Sequence, residues 1–182
     1  GIGEAAKIVI KGLNGGHSGM DIHKGLGNAN VILGRFLYLD VDDIQLIEID
    51  GGGLRNAIPR EAQAHFYCGN FEAFQANFDS LKTEIMQEFA SLEPGLSIEL
   101  SAADTTAQAL SQEDSAKIIY TLKAIHNGVY RMSPDIEGLV ETSNNLARVA
   151  LKAGDLQILC LTRPSVESTK VALAEQIEAV CE

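Results

Sequence analysis

The spacing of hydrophobic residues divides the first hundred residues into alternating strands and helices. Runs in which apolar and polar residues alternate are typical of strands with one buried face, and they predict strands over 5–13, 44–49, 61–68 and 96–101. Apolar residues that recur every three or four positions predict helices over 24–39 and 71–92. Leu46-Ile47 breaks the alternation of the second strand, which a β-bulge or burial of both faces would explain. The order β-α-β-β-α-β predicts an antiparallel sheet with two helices on one face.

The second half repeats part of this pattern. Ser111 with Asp114 resembles a capping box that opens a helix, and His126-Asn127-Gly128 is predicted to end it with glycine at C′. Strands are predicted over 138–151 and 156–162, with a helix after the second of them. We therefore predict an α+β fold with a ferredoxin-like unit over 1–104 and a second, degenerate and incomplete copy over 105–182.

Composition and charge exclude several classes of partner. Hydrophobic residues make up 46% and charged residues 21%, as in ordinary globular proteins. The net charge of −11 argues against nucleic acid and membrane surfaces, which need clustered lysine and arginine. Cys68, Cys160 and Cys181 lack C-x-x-C spacing, so we expect free thiols and a cytoplasmic location. The sequence begins Gly-Ile-Gly-Glu, and we expect a piece of a longer protein.

One short stretch concentrates the residues that could carry out chemistry. Glycine, histidine, serine and aspartate are packed into the run Gly15-Gly16-His17-Ser18-Gly19-Met20-Asp21-Ile22-His23. Glycine lets the backbone approach another group closely, and a histidine on such a loop is a titratable hydrogen-bond donor. A turn whose histidine faces solvent fits the same spacing. Ser18 is more typical of a turn hydroxyl than of a nucleophile, and His65, on the polar face of its strand, is predicted to be structural.

The chain lacks a complete catalytic set. No H-x-x-x-H, H-x-D or paired-glutamate pattern is present, and no G-x-S-x-G nucleophile motif. A second glycine-rich connection, from Gly51 to Pro59, is too poor in lysine to be a phosphate loop. Residue patterns alone therefore do not assign an activity.

Four motifs together resemble the aminoacyl-histidine dipeptidases (Xaa-His dipeptidases, carnosinase-like), a family of co-catalytic zinc peptidases. They are Gly15 to His23, the run Gly51-Gly52-Gly53-Leu54-Arg55-Asn56-Ala57-Ile58-Pro59, the run from Gly138 to Leu146, and Leu159-Cys160-Leu161-Thr162-Arg163. In that family a lid domain of ferredoxin-like units is inserted into a two-zinc catalytic domain, and this chain resembles the lid alone. The resemblance implies a cytosolic, homodimeric dipeptidase that hydrolyses Xaa-His and other unblocked dipeptides. It also implies that the two zinc ions, or similar divalent metals, lie in the absent catalytic domain and have no ligand here.

The resemblance also assigns roles to individual residues. It implies that His17 donates to the substrate carbonyl oxygen and to the developing oxyanion, that Asn56 contacts the substrate backbone, and that Arg163 binds its carboxylate. Asn145 matches a further substrate contact. The remaining residues of the first motif are expected to support its loop, His23 through a side-chain bond: Gly16, Ser18, Gly19, Asp21 and His23. Two departures, Ala147 and Pro164, replace an expected glycine and an expected small polar residue.

Two other functions fit the predicted fold. Paired split β-α-β units can bind small effectors at their interface, which would make the chain a regulatory module. An exposed sheet edge can pair with a second copy, which would make it a purely structural dimerisation domain. The substrate hypothesis requires that His17, Asn56 and Arg163 share one surface.

Overall fold

The structure, a computed structural model, describes residues 3–181 and confirms the α+β fold. Within that range seven strands form one antiparallel sheet accompanied by four α-helices. The elements are β1 (Glu4–Lys11), α1 (Ala29–Leu37), β2 (Ile44–Gly52), β3 (Ala62–Cys68), α2 (Phe71–Glu88), β4 (Ser97–Ala102), α3 (Gln112–Ala124), β5 (Gly128–Met132), β6 (Val140–Lys152), β7 (Asp155–Pro164) and α4 (Glu167–Cys181). Short 3-10 helices lie at Ile22–Lys24 and Tyr38–Asp40.

The strand order explains how distant motifs meet. The sheet runs β4-β1-β3-β2-β6, and β7 pairs with β6 from Thr142 to Lys152. Since β7 occupies one edge of β6 along this whole length, β2 and β5 must share the other edge. There β2 pairs with residues 148–151 and β5 with residues 140–144. The two strands therefore lie one after the other along the same edge of β6. Between them, residues 145–147 face a gap where that edge has no strand partner.

The core lies on one face of the sheet, where the helices pack. Along β1 the side chains of Ala6, Ile8 and Ile10 are fully buried, as the alternating pattern predicts. The rings of Phe36 in α1 and Phe78 in α2 lie 4.5 Å apart and join the two helices over the sheet. No helix of the described chain has both the length and the apolar composition to cross a membrane.

The predicted elements of the first half are confirmed, although both helices are shorter than predicted, and α2 ends at Glu88 instead of residue 92. The register of β2 against β3 slips between Leu46 and Glu48, which is the irregularity that the broken alternation predicted. The first helix starts at Ala29, five residues later than predicted, because the side chain of Asn28 caps it. Before this cap, Gly25 has a left-handed φ of 73°, which ends the preceding 3-10 helix.

The second half differs from its prediction in two places. The sequence pattern missed β5, a short strand whose five residues are half-buried or exposed and carry no clear alternation. The prediction that Gly128 occupies C′ of the preceding helix was wrong, because α3 ends at Ala124 with Ile125 as its C-cap. Gly128 instead opens β5 with φ of 101°. The division into units over 1–104 and 105–182 stays a prediction.

Candidate functional site

The His17 loop, residues 15–23, is paired to the glycine-rich loop that carries Asn56. His17 forms an isolated antiparallel bridge with Ala57. The amide of Ser18 donates to the carbonyl of Asn56 at 2.9 Å, and the amide of Ile58 donates to the carbonyl of Gly16 at 2.9 Å. This pairing fixes two of the predicted site residues, His17 and Asn56, on adjacent segments of backbone.

The loop backbone determines which nitrogen of His17 can donate. The amides of Gly19 and Met20 both donate to Nδ1 of His17, each at 3.1 Å. An imidazole nitrogen that accepts hydrogen bonds carries no proton in the neutral ring, so the proton resides on Nε2. His17 is only half-buried, and Nε2 is the donor that this arrangement makes available to a ligand.

Asp21 anchors the same loop from the other side. Its Oδ2 accepts the backbone amide of His17 at 2.8 Å, and its Oδ1 accepts Nζ of Lys24 at 2.6 Å. The bond from Lys24, followed by the bond from the His17 amide, lowers the pKa of Asp21 below its ordinary value of 3.8. The anchoring carboxylate is therefore lost only when the pH falls through that lowered pKa. A Cβ at Gly16 would lie 2.9 Å from Oδ2 of Asp21, so a side chain there would disturb this anchor.

Arg163 comes from the far end of β7 and meets the His17 loop. Its Nε donates to Oγ of Ser18 at 3.2 Å, and Ser18 itself is fully buried. A Cβ at Gly19 would lie only 3.1–3.3 Å from Cδ, Nε and Cζ of Arg163, so the glycine makes room for the guanidinium. No carboxylate of residues 3–181 lies within 4 Å of this guanidinium, and neither Nη donates a hydrogen bond within that range. Both Nη groups remain available to an acidic ligand.

The other predicted site residues differ in their surroundings. The side chain of Asn56 is exposed, whereas Asn145 is buried beneath the loop and donates through Nδ2 to the carbonyls of Arg55 and Ala57. The direct contact between Asn145 and substrate stays a prediction. His23 is exposed and lines a cavity of about 460 Å³ together with Phe89, and its loop-supporting bond also stays a prediction.

The site offers hydrogen-bond donors and the positive charge of Arg163. His17 is bridged to Ala57, the neighbour of Asn56, and Arg163 bonds to Ser18, the neighbour of His17. The amide of Ser18 also bonds to Asn56, so the structure brings the three residues together. Such a set can bind a carboxylate and an amide carbonyl, and it can stabilise negative charge on oxygen. Within residues 3–181 no group of three or more histidine, cysteine, aspartate or glutamate side chains could hold a metal ion.

Sequence reasoning missed two asparagines that support the site, Asn28 and Asn127. Nδ2 of Asn28 donates to Oδ1 of both Asn127 and Asn145, at 3.1 and 3.4 Å. Asn28 precedes a helical pattern, so its role as an N-cap was open to prediction. Asn127 follows a helix without a distinctive spacing, and only the tertiary fold reveals its partners.

Comparison with known proteins shows which proteins this fold is similar to. Residues 8–95 match the family described as "Peptidase dimerisation domain". Two proteins that the chain resembles along nearly its whole length are dipeptidases. The chain is 36% identical over 181 residues to the cytosol non-specific dipeptidase of Escherichia coli (strain K12), a match that covers 97% of the chain.

A solved structure extends the similarity to nearly the whole fold. The chain superimposes on the crystal structure of aminoacylhistidine dipeptidase from Vibrio alginolyticus with a TM-score of 0.92 and 35% identity over 98% of its length. The resemblance to the aminoacyl-histidine dipeptidases is thereby confirmed. The chain spans 37% of the length of each of these two relatives.

Proposed function

We propose that the chain is the lid of a cytoplasmic two-zinc dipeptidase that hydrolyses Xaa-His and other unblocked dipeptides. One observation carries this proposal, the hydrogen bond from Nε of Arg163 to Oγ of Ser18. It brings the unpaired guanidinium beside the loop that carries His17. A purely structural dimerisation domain has no need for a cation, an oriented imidazole and an exposed amide on adjacent segments, whereas dipeptide binding uses all three.

Each donor suits one part of a dipeptide. The planar guanidinium of Arg163 presents two parallel N–H groups, a fork that matches the C-terminal carboxylate. The exposed amide of Asn56 can bond to the substrate backbone. Nε2 of His17 donates to the carbonyl oxygen of the scissile bond, where negative charge develops during attack by water. A donor aimed at developing charge stabilises the transition state by roughly 3–4 kcal/mol.

The remaining machinery belongs, in this proposal, to the rest of the dipeptidase. Because the chain spans 37% of the length of its dipeptidase relatives, the two zinc ions are assigned to a catalytic domain outside this chain. Activation of water is assigned to that domain as well. The donors of the lid act only when the lid closes over the catalytic domain, and closure also excludes bulk water. The isolated chain is therefore expected to be inactive.

Replacement of His17 tests the proposal in the dipeptidase that contains this domain. His17→Ala removes the donor, and we expect kcat to fall about a hundredfold or more with zinc content unchanged. His65→Ala is the matched control, because it removes a half-buried histidine of β3 that pairs with Glu48, outside the two loops of the site, and is expected to leave kcat unchanged. An unaltered kcat in His17→Ala would refute the catalytic role and favour a regulatory or structural module.

We also propose that the domain forms a homodimer. The family description names dimerisation, and β4 lies at one end of the sheet with β1 as its strand partner. A strand with a free edge can pair with a second copy. Sedimentation velocity is expected to give twice the monomer mass, and a monomer at micromolar concentration would contradict the proposal.

A further inference from the structure

Side-chain amides replace a missing strand in the middle of the sheet. Opposite residues 145–147, where β2 and β5 leave a gap beside β6, the amide of Leu146 donates to Oδ1 of Asn127 at 2.9 Å. The carbonyl of Leu146 accepts Nδ2 of Asn28 and Nδ2 of Asn30, each at 3.2 Å. An asparagine side chain offers the same donor and acceptor as a peptide group, so it satisfies backbone groups that burial would otherwise leave unpaired.

Asn145 connects this gap to the candidate site. Its side chain is buried, and its Nδ2 donates to the carbonyls of Arg55 and Ala57 at 3.1 and 2.8 Å. Its Oδ1 accepts Nδ2 of Asn28, which completes an asparagine cluster formed by Asn28, Asn127 and Asn145. Because Ala57 is the residue bridged to His17, one buried amide holds the backbone on which both His17 and Asn56 depend.

The same strand also fixes the position of Arg163. Arg163 lies opposite Ser143 in the β6–β7 pairing, two residues from Asn145 along β6. β6 is therefore the common support for the carboxylate-binding residue on one side and the His17–Asn56 pair on the other. The bonds from Asn145 and the bond between Arg163 and Ser18 together connect these two halves of the site.

We propose that Asn145 is a positioning residue, held by the asparagine cluster, that acts on catalysis through loop residues 55–57 and not by contact with substrate. The inference rests on the proposed dipeptidase function. It assigns a use to every bond that the Asn145 side chain makes, since Nδ2 is occupied by two carbonyls and Oδ1 by Asn28. When Asn145 is replaced, the carbonyls of Arg55 and Ala57 lose their partner, and these residues and Asn56 between them are expected to move.

Kinetics of Asn145→Ala and Asn145→Asp in the dipeptidase that contains this domain provide the first test. A shift of the loop of about 1 Å misplaces the transition-state donor, so we expect kcat to fall roughly ten- to a hundredfold while KM changes less. Asn144→Ala and Asn144→Asp are matched controls. Asn144 is equally buried on the same strand and bonds His126 and Thr162 instead of the loop, so these variants should retain kcat. Equal losses of kcat at both positions would overturn the inference.

A double-mutant cycle separates positioning from contact with substrate. If Asn145 acts through the His17–Asn56 pair, Asn145→Ala added to His17→Ala should lower kcat several-fold less than Asn145→Ala does alone. Additive effects would overturn the inference while leaving the proposed function intact. If His17→Ala alone left kcat unchanged, the proposed function would fail instead.

Hydrogen exchange gives a measurement that does not depend on activity. The amides of Ser18 and Ile58 form the pairing between the two loops. Asn145→Asp, which preserves the side-chain volume, should speed exchange at both amides, whereas Asn144→Asp should not. Unchanged exchange at Ser18 and Ile58 in a folded Asn145→Asp protein would refute the positioning role.

Discussion

Gly19→Ala should impair recognition of the substrate carboxylate without disturbing the fold. Gly19 does not have the positive φ that disfavours alanine, so the new methyl group is tolerated by the backbone. It would lie 3.1–3.3 Å from Cδ, Nε and Cζ of Arg163, whereas ordinary contacts start near 3.4 Å. The guanidinium must therefore move by a few tenths of an ångström. The direction of movement is away from the His17 loop.

The structure sets the size of this effect. The bond from Nε of Arg163 to Oγ of Ser18 is 3.2 Å long, and a displacement of about 0.4 Å stretches it to about 3.6 Å, which is no longer a hydrogen bond. Loss of one such bond removes about 1 kcal/mol of the free energy that holds the guanidinium in its orientation. Substrate binding must then supply this free energy. This corresponds to an increase in KM of about fivefold with kcat little changed, because carboxylate binding is the same in the ground and transition states.

Two substrates and one control variant isolate the cause. Steady-state kinetics compare a free dipeptide with the corresponding dipeptide amide, which lacks the carboxylate that Arg163 is proposed to bind. Gly19→Ala should raise KM for the free dipeptide only. Gly53→Ala, in the neighbouring loop, is the matched control, because a Cβ there meets nothing within 4 Å and should leave both KM values unchanged.

Two outcomes would refute this reasoning. If Gly19→Ala raised KM equally for the dipeptide and its amide, the methyl group would act on something other than carboxylate recognition. If it raised KM to the same extent in an Arg163→Ala background, the clash with the guanidinium could not be the cause, since the clashing atoms are then absent.

Three further predictions concern the thiols, the backbone and the histidine tautomer. Burial raises the pKa of Cys68 to about 11, so about one molecule in a thousand carries its thiolate at pH 8. A thiol reagent should therefore label exposed Cys181 before Cys68, as mass spectrometry would detect, and equal labelling rates would contradict this. Gly52→Ala should lower the free energy of unfolding in urea by about 1–3 kcal/mol more than Gly138→Ala, because the strain of a φ near 75° is common to both and only Gly52 faces a backbone carbonyl. Nitrogen-15 NMR should find the proton of neutral His17 on Nε2, and a proton on Nδ1 would refute the bonding described for its ring.

How much the sequence could predict depended on whether the information was local. The β-α-β-β-α-β order and the bulge after Leu46 follow from periodicity and were predictable, since each records which side chains face the core. The resemblance identified the loop of His17, but its ring orientation depends on two backbone amides whose direction no pattern encodes. Asn145 could be noted as a motif residue, yet its partners lie about 90 positions away along the chain. Only the pairing of β2 and β5 with one edge of β6 reveals why an amide is needed there.

The candidate site depends on two connections that act on different steps. Ser18 connects the His17 loop to Arg163 through one side-chain bond, whereas Asn145 connects β6 to the loop that supports His17 and Asn56. Because the first connection orients Arg163, which is proposed to bind the substrate carboxylate equally in the ground and transition states, its loss should appear in KM. Because the second positions His17, whose proposed bond to the substrate strengthens as charge develops, its loss should appear in kcat. A domain that only joined two subunits would give neither effect, so the separation of KM from kcat between these two sets of variants distinguishes a lid from a structural module.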